Sequence, residues 1–419
     1  MERRARRRGR FVEREGRRRR IALLAILGGL SAFGPLSTDL YLPGLPALTS
    51  DLGASASSGQ VTLTGCLLGM GLGQLVFGPV SDSRGRRLPL LVGLAVFVAA
   101  SVACASAPSI ETLIGLRFVQ GCAGGVGVVI AMSVVRDLHG LVGAARVFAL
   151  LLLTSGAVPM LAPTVGALLL RVMSWRGLFL ILALVGAALL VASVFFVPET
   201  LEHERRRRGG LPAALRVMGK LLRDRVFIAH TAAVSFAFAG AFAYISASPF
   251  VLENVYGLSP EAYGAVFAVN SATFVAVAQV GSRLVGRLGP RLLVLVGLWT
   301  ATVGAGVVLL TVAAGLGVAP LLVGLALVMG GNGLTVPNAT ALALADHPEA
   351  AGSASALVGL GRFGFAAAVA PLVGIAGAHS ALPMGIAIAA LSVIALAVHL
   401  AFGARTGKEA RFRRAKTPS

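Results

Sequence analysis

Apolar residues fill this chain in blocks of about twenty, the length a helix needs to cross the hydrocarbon core of a bilayer. The pattern predicts twelve such helices, at residues 21–46, 58–80, 89–107, 112–134, 146–170, 177–197, 227–250, 261–284, 291–313, 318–343, 351–375 and 382–403. The first block carries an anomaly. Within PLSTDLYLPGLPAL, residues 35–48, just after the apolar run that opens at Ile21, stands the carboxylate of Asp39. An ionisable side chain inside a bilayer costs roughly 3 kcal/mol on insertion scales, so it faces a protein interior and usually has a task.

Composition agrees with the pattern. The 419 residues are 56% hydrophobic and 13% charged, with 53 glycines, outside the habits of soluble domains. An all-α integral membrane protein follows. The formal charge of +20 raises nucleic acid as a partner, and the positions of the 37 Lys and Arg residues decide against it. Eleven arginines lie in residues 3–20, eight basic residues in 205–225 and six in 405–416, each cluster bordering an apolar run. With these on the cytoplasmic side the positive-inside rule is obeyed, both termini are cytoplasmic, and six spans lie between successive clusters. Arg84, Arg86, Arg87, Arg136, Arg146, Arg283, Arg287 and Arg291 fall on the same side. Only Arg171 and Arg176 are left outside, while Arg117 and Arg362 sit within spans. Basic clusters of this kind set topology and attract anionic lipid at the cytoplasmic face; no nucleic acid is expected. No cleaved leader is expected either, because the first apolar run flows directly into further spans. Cys66, Cys104 and Cys122 lie within predicted spans and imply neither a disulfide framework nor a metal site.

The charge clusters divide the chain into a basic cytoplasmic tail (1–20), a six-helix bundle (21–197), a cytoplasmic linker (198–226), a second six-helix bundle (227–403) and a second basic tail (404–419). The halves echo each other. GPVSDSRGRRLPLLV (78–92) resembles GSRLVGRLGPRLLVLVG (281–297), and TDLYLPG in the first span has a counterpart around YISASPF in the seventh. Asp39 has no carboxylate partner there and is the only carboxylate clearly within a span, so the ionisable groups concentrate in the first half. Repeated six-span halves are the signature of transporters that rock one bundle against the other around a midplane site.

Depth brings three polar residues together. Arg117 lies about 9 Å into the fourth span and Asp39 about 10 Å into the first, counted from the outer end at the helical rise. Gln120, three residues after Arg117, shares its face. Asp39, Arg117 and Gln120 are therefore expected to form one polar group in an apolar cavity, where burial penalises the charged carboxylate and the arginine favours it. Pro159 and Pro163 each remove a backbone donor and are expected to bend the fifth helix. Glycines 65, 69 and 73, with 121 and 125, have the spacing that lets helices approach closely. Tyr41, Tyr244, Phe250 and Asn270 are candidate cavity-lining groups for an amphipathic ligand, with core packing as the alternative. No phosphate-binding loop is present, so ATP is not the expected energy source. The six histidines, 139, 203, 230, 347, 379 and 399, are scattered, and neither a metal cluster nor a carboxylate dyad assembles; an enzyme is not expected.

Several motifs carry a resemblance. They are Gly78-Pro79-Val80-Ser81-Asp82-Ser83-Arg84-Gly85-Arg86-Arg87 after the second helix, and Leu116-Arg117-Phe118-Val119-Gln120-Gly121 with Gly124 in the fourth. Ala162-Pro163-Thr164-Val165-Gly166-Ala167 in the fifth departs from the usual pattern at Ala162 and Ala167. With STDLYLPGLPAL, MLAPTVGALLLRVMSWRGLF, SASPFVLENVYGLSPEAYGAVFAVN and AGSASALVG, they resemble the major facilitator superfamily and, within it, the Bcr/CflA-type drug-resistance exporters, proton-coupled antiporters of the bacterial inner membrane. The resemblance implies two six-helix bundles related by a pseudo-two-fold axis. It makes Gly78, Asp82, Gly85 and Arg86 a conformational latch, and Pro159, Pro163 and Gly166 the antiporter motif. It further implies a monomer, a small-molecule substrate, and the proton as coupling ion without other cofactor, Asp39 being the leading proton carrier with Arg117 and Gln120 beside it. Export of an endogenous metabolite or amino-acid derivative by the same fold is the alternative to drug efflux.

Overall fold

In the computed structural model, residues 22–138, 158, 161–201, 210–347, 350–375 and 379–403 are described. The two basic tails, most of the fifth predicted span and the middle of the linker, Pro159 among them, lie outside these residues.

Eleven helices among the described residues are long and apolar enough to cross a membrane. The first apolar segment is interrupted. Helix α1 runs over residues 22–39, a 3₁₀ turn occupies Leu42–Gly44, and α2 covers Leu45–Asp51. Proline explains the break, because Pro43 has no N–H to donate to the carbonyl of Asp39 and Pro46 none for that of Leu42. Asp39 thus closes the regular part of α1. There follow α3 (Ala56–Arg84), α4 (Arg87–Ala105), α5 (Ile110–Leu138), α6 (161–169) and α7 (Trp175–Phe196). In the linker lies α8 (Gly210–Leu221), and the second half comprises α9 (Arg225–Pro249), α10 (Pro260–Leu288), α11 (Pro290–Ala313), α12 (Val318–Ala345), α13 (Ala351–Val373) and α14 (Leu382–Val398). A π-helical turn, Phe250–Val255, prolongs α9.

The sequence echo between the halves has a geometric counterpart. Ser55 caps α3 by accepting from the N–H of Ser58, and Ser259 caps α10 by accepting from that of Ala262. Both helices are 29 residues long and both end at a glycine with positive φ, Gly85 at 98° and Gly289 at 76°. Such a backbone is open to glycine and strained for other residues, so each tight turn into the next helix depends on it. These turns, α8, the C-terminal ends of α5 and α12 and the segment after α7 share the Arg-rich end of the molecule; the opposite end carries the turns at 52–55, 106–109, 170–174, 256–259 and 314–317. Helix α8 packs on both α3 and α13 and so bridges the halves at the Arg-rich end.

Within the first half, α3 and α5 meet backbone to backbone. A methyl group at Gly69 would run into the Phe118 carbonyl, one at Gly73 into that of Cys122, and one at Gly121 into that of Cys66. The Gly121→Ala variant is expected to lose about 1–3 kcal/mol, since main chain cannot rotate aside, visible as a lower Tm in detergent. Gly115→Ala, where an added carbon meets nothing within 4 Å, serves as the control and should keep its Tm. Equal Tm values for both variants would refute the close approach.

Candidate functional site

Arg117, projecting from α5, is completely buried and organises the middle of the first half. Its Nη2 donates to the Ser37 carbonyl of α1 at 2.9 Å, and its Nη1 donates to Oε1 of Gln120, one turn along the same helix. Gln120 Nε2 then donates to Ser101 Oγ on α4 at 2.6 Å. The guanidinium lies over the Tyr41 ring at 4.5 Å and near that of Phe179 at 5.6 Å, both cation–π distances. Tyr41 is oriented by a 2.9 Å hydrogen bond between its hydroxyl and Thr62 of α3. Only Nε of the arginine lacks a hydrogen-bond partner.

Asp39 does not join this group. It is buried, accepts a 2.9 Å hydrogen bond from Thr38 Oγ1, and makes no ion pair with any described residue. Equal depth was a sound expectation, but azimuth separates the two charges. Ser37 and Tyr41, four apart, share the face of the segment that meets Arg117, while Asp39 is two residues from each and points to the other side. The 3₁₀ turn that follows Asp39 meets α9 and α10 of the second half.

Tyr41, Tyr244, Phe250 and Asn270, expected at the cavity, are all buried. Tyr41 is taken up by Arg117. Tyr244 accepts from Asn270 Nδ2 at 3.0 Å and stacks on Phe267, leaving Asn270 Oδ1 unpartnered. Nor is Asp39 the only carboxylate in a span. The π-helical turn extends the seventh crossing to Val255 and draws in Glu253, whose Oε1 is buried without a partner. Arg362 on α13 and the buried pair His230 and His399, ring centroids 6.2 Å apart, add further ionisable groups to the second half. The expected confinement of such groups to the first half fails, because the second half carries its ionisable groups at positions other than the one that matches Asp39.

The hydrogen bonds and ion pairs that join the two halves among the described residues all lie toward the Arg-poor end. Ser57 donates to the Pro371 carbonyl (3.0 Å), Gln60 to that of Ser246 (3.3 Å), Thr64 to that of Ala367 (2.8 Å) and Thr164 to that of Gly264 (2.9 Å). Arg171 and Glu261 add an ion pair at 2.7 Å. Pro163 and Gly166 flank the seam residue Thr164 on α6: both are buried, and Gly166 packs on the Leu40 carbonyl just after α1, within the first half. Of the two prolines expected to bend the fifth helix, Pro159 lies outside the described residues, and Pro163 stands in the first turn of α6 as described.

At the other end stands the 78–87 motif. Arg86 pairs with Asp82 at 2.5 Å and with Asp137 of α5 at 3.1 Å, and donates to Ser81 Oγ at 2.7 Å. Glu199, after α7, accepts from the backbone N–H groups of Arg86 and Arg87 and so caps α4; Thr200 donates to Asp137. Gly78 has only ordinary contact with Val129, and the turn itself rests on Gly85. Asp137 was not singled out from sequence, and Pro198-Glu199-Thr200 reads there only as a helix terminus at the cytoplasmic face; their meeting with Arg86 joins elements distant along the chain.

A family model described as the Major Facilitator Superfamily matches residues 27–371. YdgK of Bacillus subtilis, an uncharacterized MFS-type transporter, is 36% identical, covering 91% of this chain and 95% of its own. The bicyclomycin resistance protein homolog of Haemophilus influenzae is 30% identical, over 88% of this chain and 93% of its own, and the multidrug resistance protein MdtL of Escherichia coli 29%, over 78% and 82%. Among solved structures, the xylose transporter XylE from E. coli, in a partially occluded inward open conformation, superposes with a TM-score of 0.68 at 15% identity, over 91% of this chain and 97% of its own. A D-xylose-proton symporter does so with 0.69 at 14% identity, with the same coverage. At these identities the likeness is one of fold.

The charge balance around Arg86 has a measurable consequence. Arg86→Gln leaves two carboxylates facing each other and is expected to cost about 3–5 kcal/mol. Asp82→Asn, at a side chain 36% exposed against 5% for the arginine, should cost less because Asp137 still answers Arg86. Thermal unfolding of both variants in detergent checks the order; a larger loss in Asp82→Asn would contradict it.

Proposed function

Since this chain belongs to the major facilitator superfamily, a family of membrane transporters, we propose that it is a proton-coupled antiporter that exports small amphipathic, drug-like compounds across the cytoplasmic membrane. The observation that carries the coupling is the isolation of Asp39. A carboxylate buried with one hydroxyl donor and no ion pair among the described residues is tolerated there in its protonated form. Opening the cavity to water allows it to ionise, so access and protonation are linked. Asp39 closes α1 at the seam with the second half, where rocking of the bundles changes that access. Arg117 and Gln120 hold the neighbouring backbone in register and remain separate from the proton itself.

Alternating access is supported by the one-sided seam. If the Arg-rich end faces the cytoplasm, as the positive-inside rule expects, the halves here are joined on the outer side, an inward-facing arrangement. The Arg86 cluster then stiffens the cytoplasmic end of the first bundle, and the basic linker and tails lie against anionic lipid. The relatives named for bicyclomycin and multidrug resistance support an amphipathic drug as cargo, and a monomer suffices for the mechanism.

Proteoliposomes with an imposed pH gradient test this reading. Labelled amphipathic antibiotics and dyes should accumulate against their gradient with the wild-type protein. Asp39→Asn should abolish the pH-driven component while leaving downhill exchange measurable. Undiminished uphill transport by Asp39→Asn would remove the proton from this residue; the absence of any transport by folded wild-type protein would remove the drug-export reading.

A further inference from the structure

The antiporter reading leaves one intramembrane cation without a role. Arg362 is the middle residue of α13, Ala351–Val373, roughly 16 Å from either end at the helical rise, too deep for its side chain to reach an interface. A single cation at that depth costs about 3 kcal/mol on insertion scales. Arg117 meets the same cost with a carbonyl, an amide and two rings. Arg362 does not. No hydrogen bond or ion pair with a described residue uses its donors, its Nε is buried and unpartnered, and its guanidinium lies over the face of Phe238 on α9, at 4.3 Å.

Its surroundings lie between the two halves, since Gly359, on the same face of α13, stands beside Gln74 of α3. On α13 the face that carries Arg362 follows Ser355, Gly359, Arg362, Ala366, Val369 and Val373. It passes from exposed at Ser355, through part-exposed at Gly359 and Arg362, to buried beyond. The face is therefore open toward the Arg-rich end and shut toward the Arg-poor end, where the seam lies. Phe238 sits two residues from Gly240, which packs on Leu391 of α14, so it projects from the opposite side of α9. Phe238 is itself part-exposed and is met edge-on by Phe363, ring centroids 6.1 Å apart.

We infer that Arg362 and Phe238 form an anion-recognising subsite of the central cavity, which takes an amphipathic substrate bearing a carboxylate or comparable anion next to a flat apolar body. The free guanidinium donors accept the anion in fork geometry, and Phe238 with Phe363 receives the body while fixing the guanidinium plane. The subsite disfavours lipophilic cations by the same charge. It rests on the exporter reading above and adds the chemical class of the cargo.

The test uses the purified full chain in nanodiscs of neutral lipid with two fluorescent probes of the same shape, pyrenebutyrate and pyrenebutyramide, against empty nanodiscs. Wild-type protein should bind the carboxylate more tightly than the amide by about tenfold or more, the worth of a charge-assisted hydrogen bond. Arg362→Gln should lose that preference while its affinity for the amide, which also reports correct folding, stays the same. Arg362→Lys should retain part of the preference. Equal binding of both probes by wild-type protein, or an undiminished preference in Arg362→Gln, would overturn the subsite and leave the exporter reading standing. Specific binding of neither probe by folded wild-type protein would overturn both.

Discussion

The first half of this molecule is organised around the need to satisfy a guanidinium that water cannot reach. Arg117 draws on a carbonyl of α1, an amide on its own helix and, through that amide, a hydroxyl of α4. The ring beneath it is held in turn by α3. Four helices therefore contribute to one charge, and none can shift far without leaving a donor unpaired in a low-dielectric setting. Beside this group, α3 and α5 are glycine-rich along their contact, which lets the two backbones meet directly.

Rigidity within a bundle and looseness between bundles go together in such a fold. The seam between the halves is made of side-chain hydroxyls and amides donating to carbonyls, with one surface ion pair at its rim. These are individually weak contacts, worth about 0.5–1.5 kcal/mol each, and they can be exchanged for water. The Arg86 cluster is different in kind. It joins α3, α4, α5 and the segment after α7 through charge-assisted bonds, all within one half. The molecule is thus stiff where a bundle must move as a body and replaceable where it must come apart.

The two halves repeat their scaffold and diverge in chemistry. Serine caps, helix length and the closing glycine recur in α3 and α10. Asp39 and Arg117 have no counterparts in kind, whereas the second half contributes Arg362, Glu253 and two buried histidines of its own. Symmetry of backbone follows from the shared packing problem, and asymmetry of side chains gives each half buried ionisable groups of its own.

The crossings, the polarity of the loops and the internal repeat were legible along the chain, because hydrocarbon imposes a length on each helix and charge imposes a side on each loop. Depth was legible too, since helical rise is constant. Even the break after Asp39 is written in Pro43 and Pro46, whose missing donors end α1. Azimuth was not. Whether Asp39 meets Arg117 depends on how α1 is rotated against α5, and that rotation is decided by packing across the whole bundle. Asp137 and Glu199 reach Arg86 only because three separated segments converge. Arg362 stands out as a lone cation only once its neighbours in space are known. Position along a helix is a local property of the sequence; the choice of partner belongs to the tertiary structure, because a buried charge is satisfied or left free by whatever the other helices bring to it.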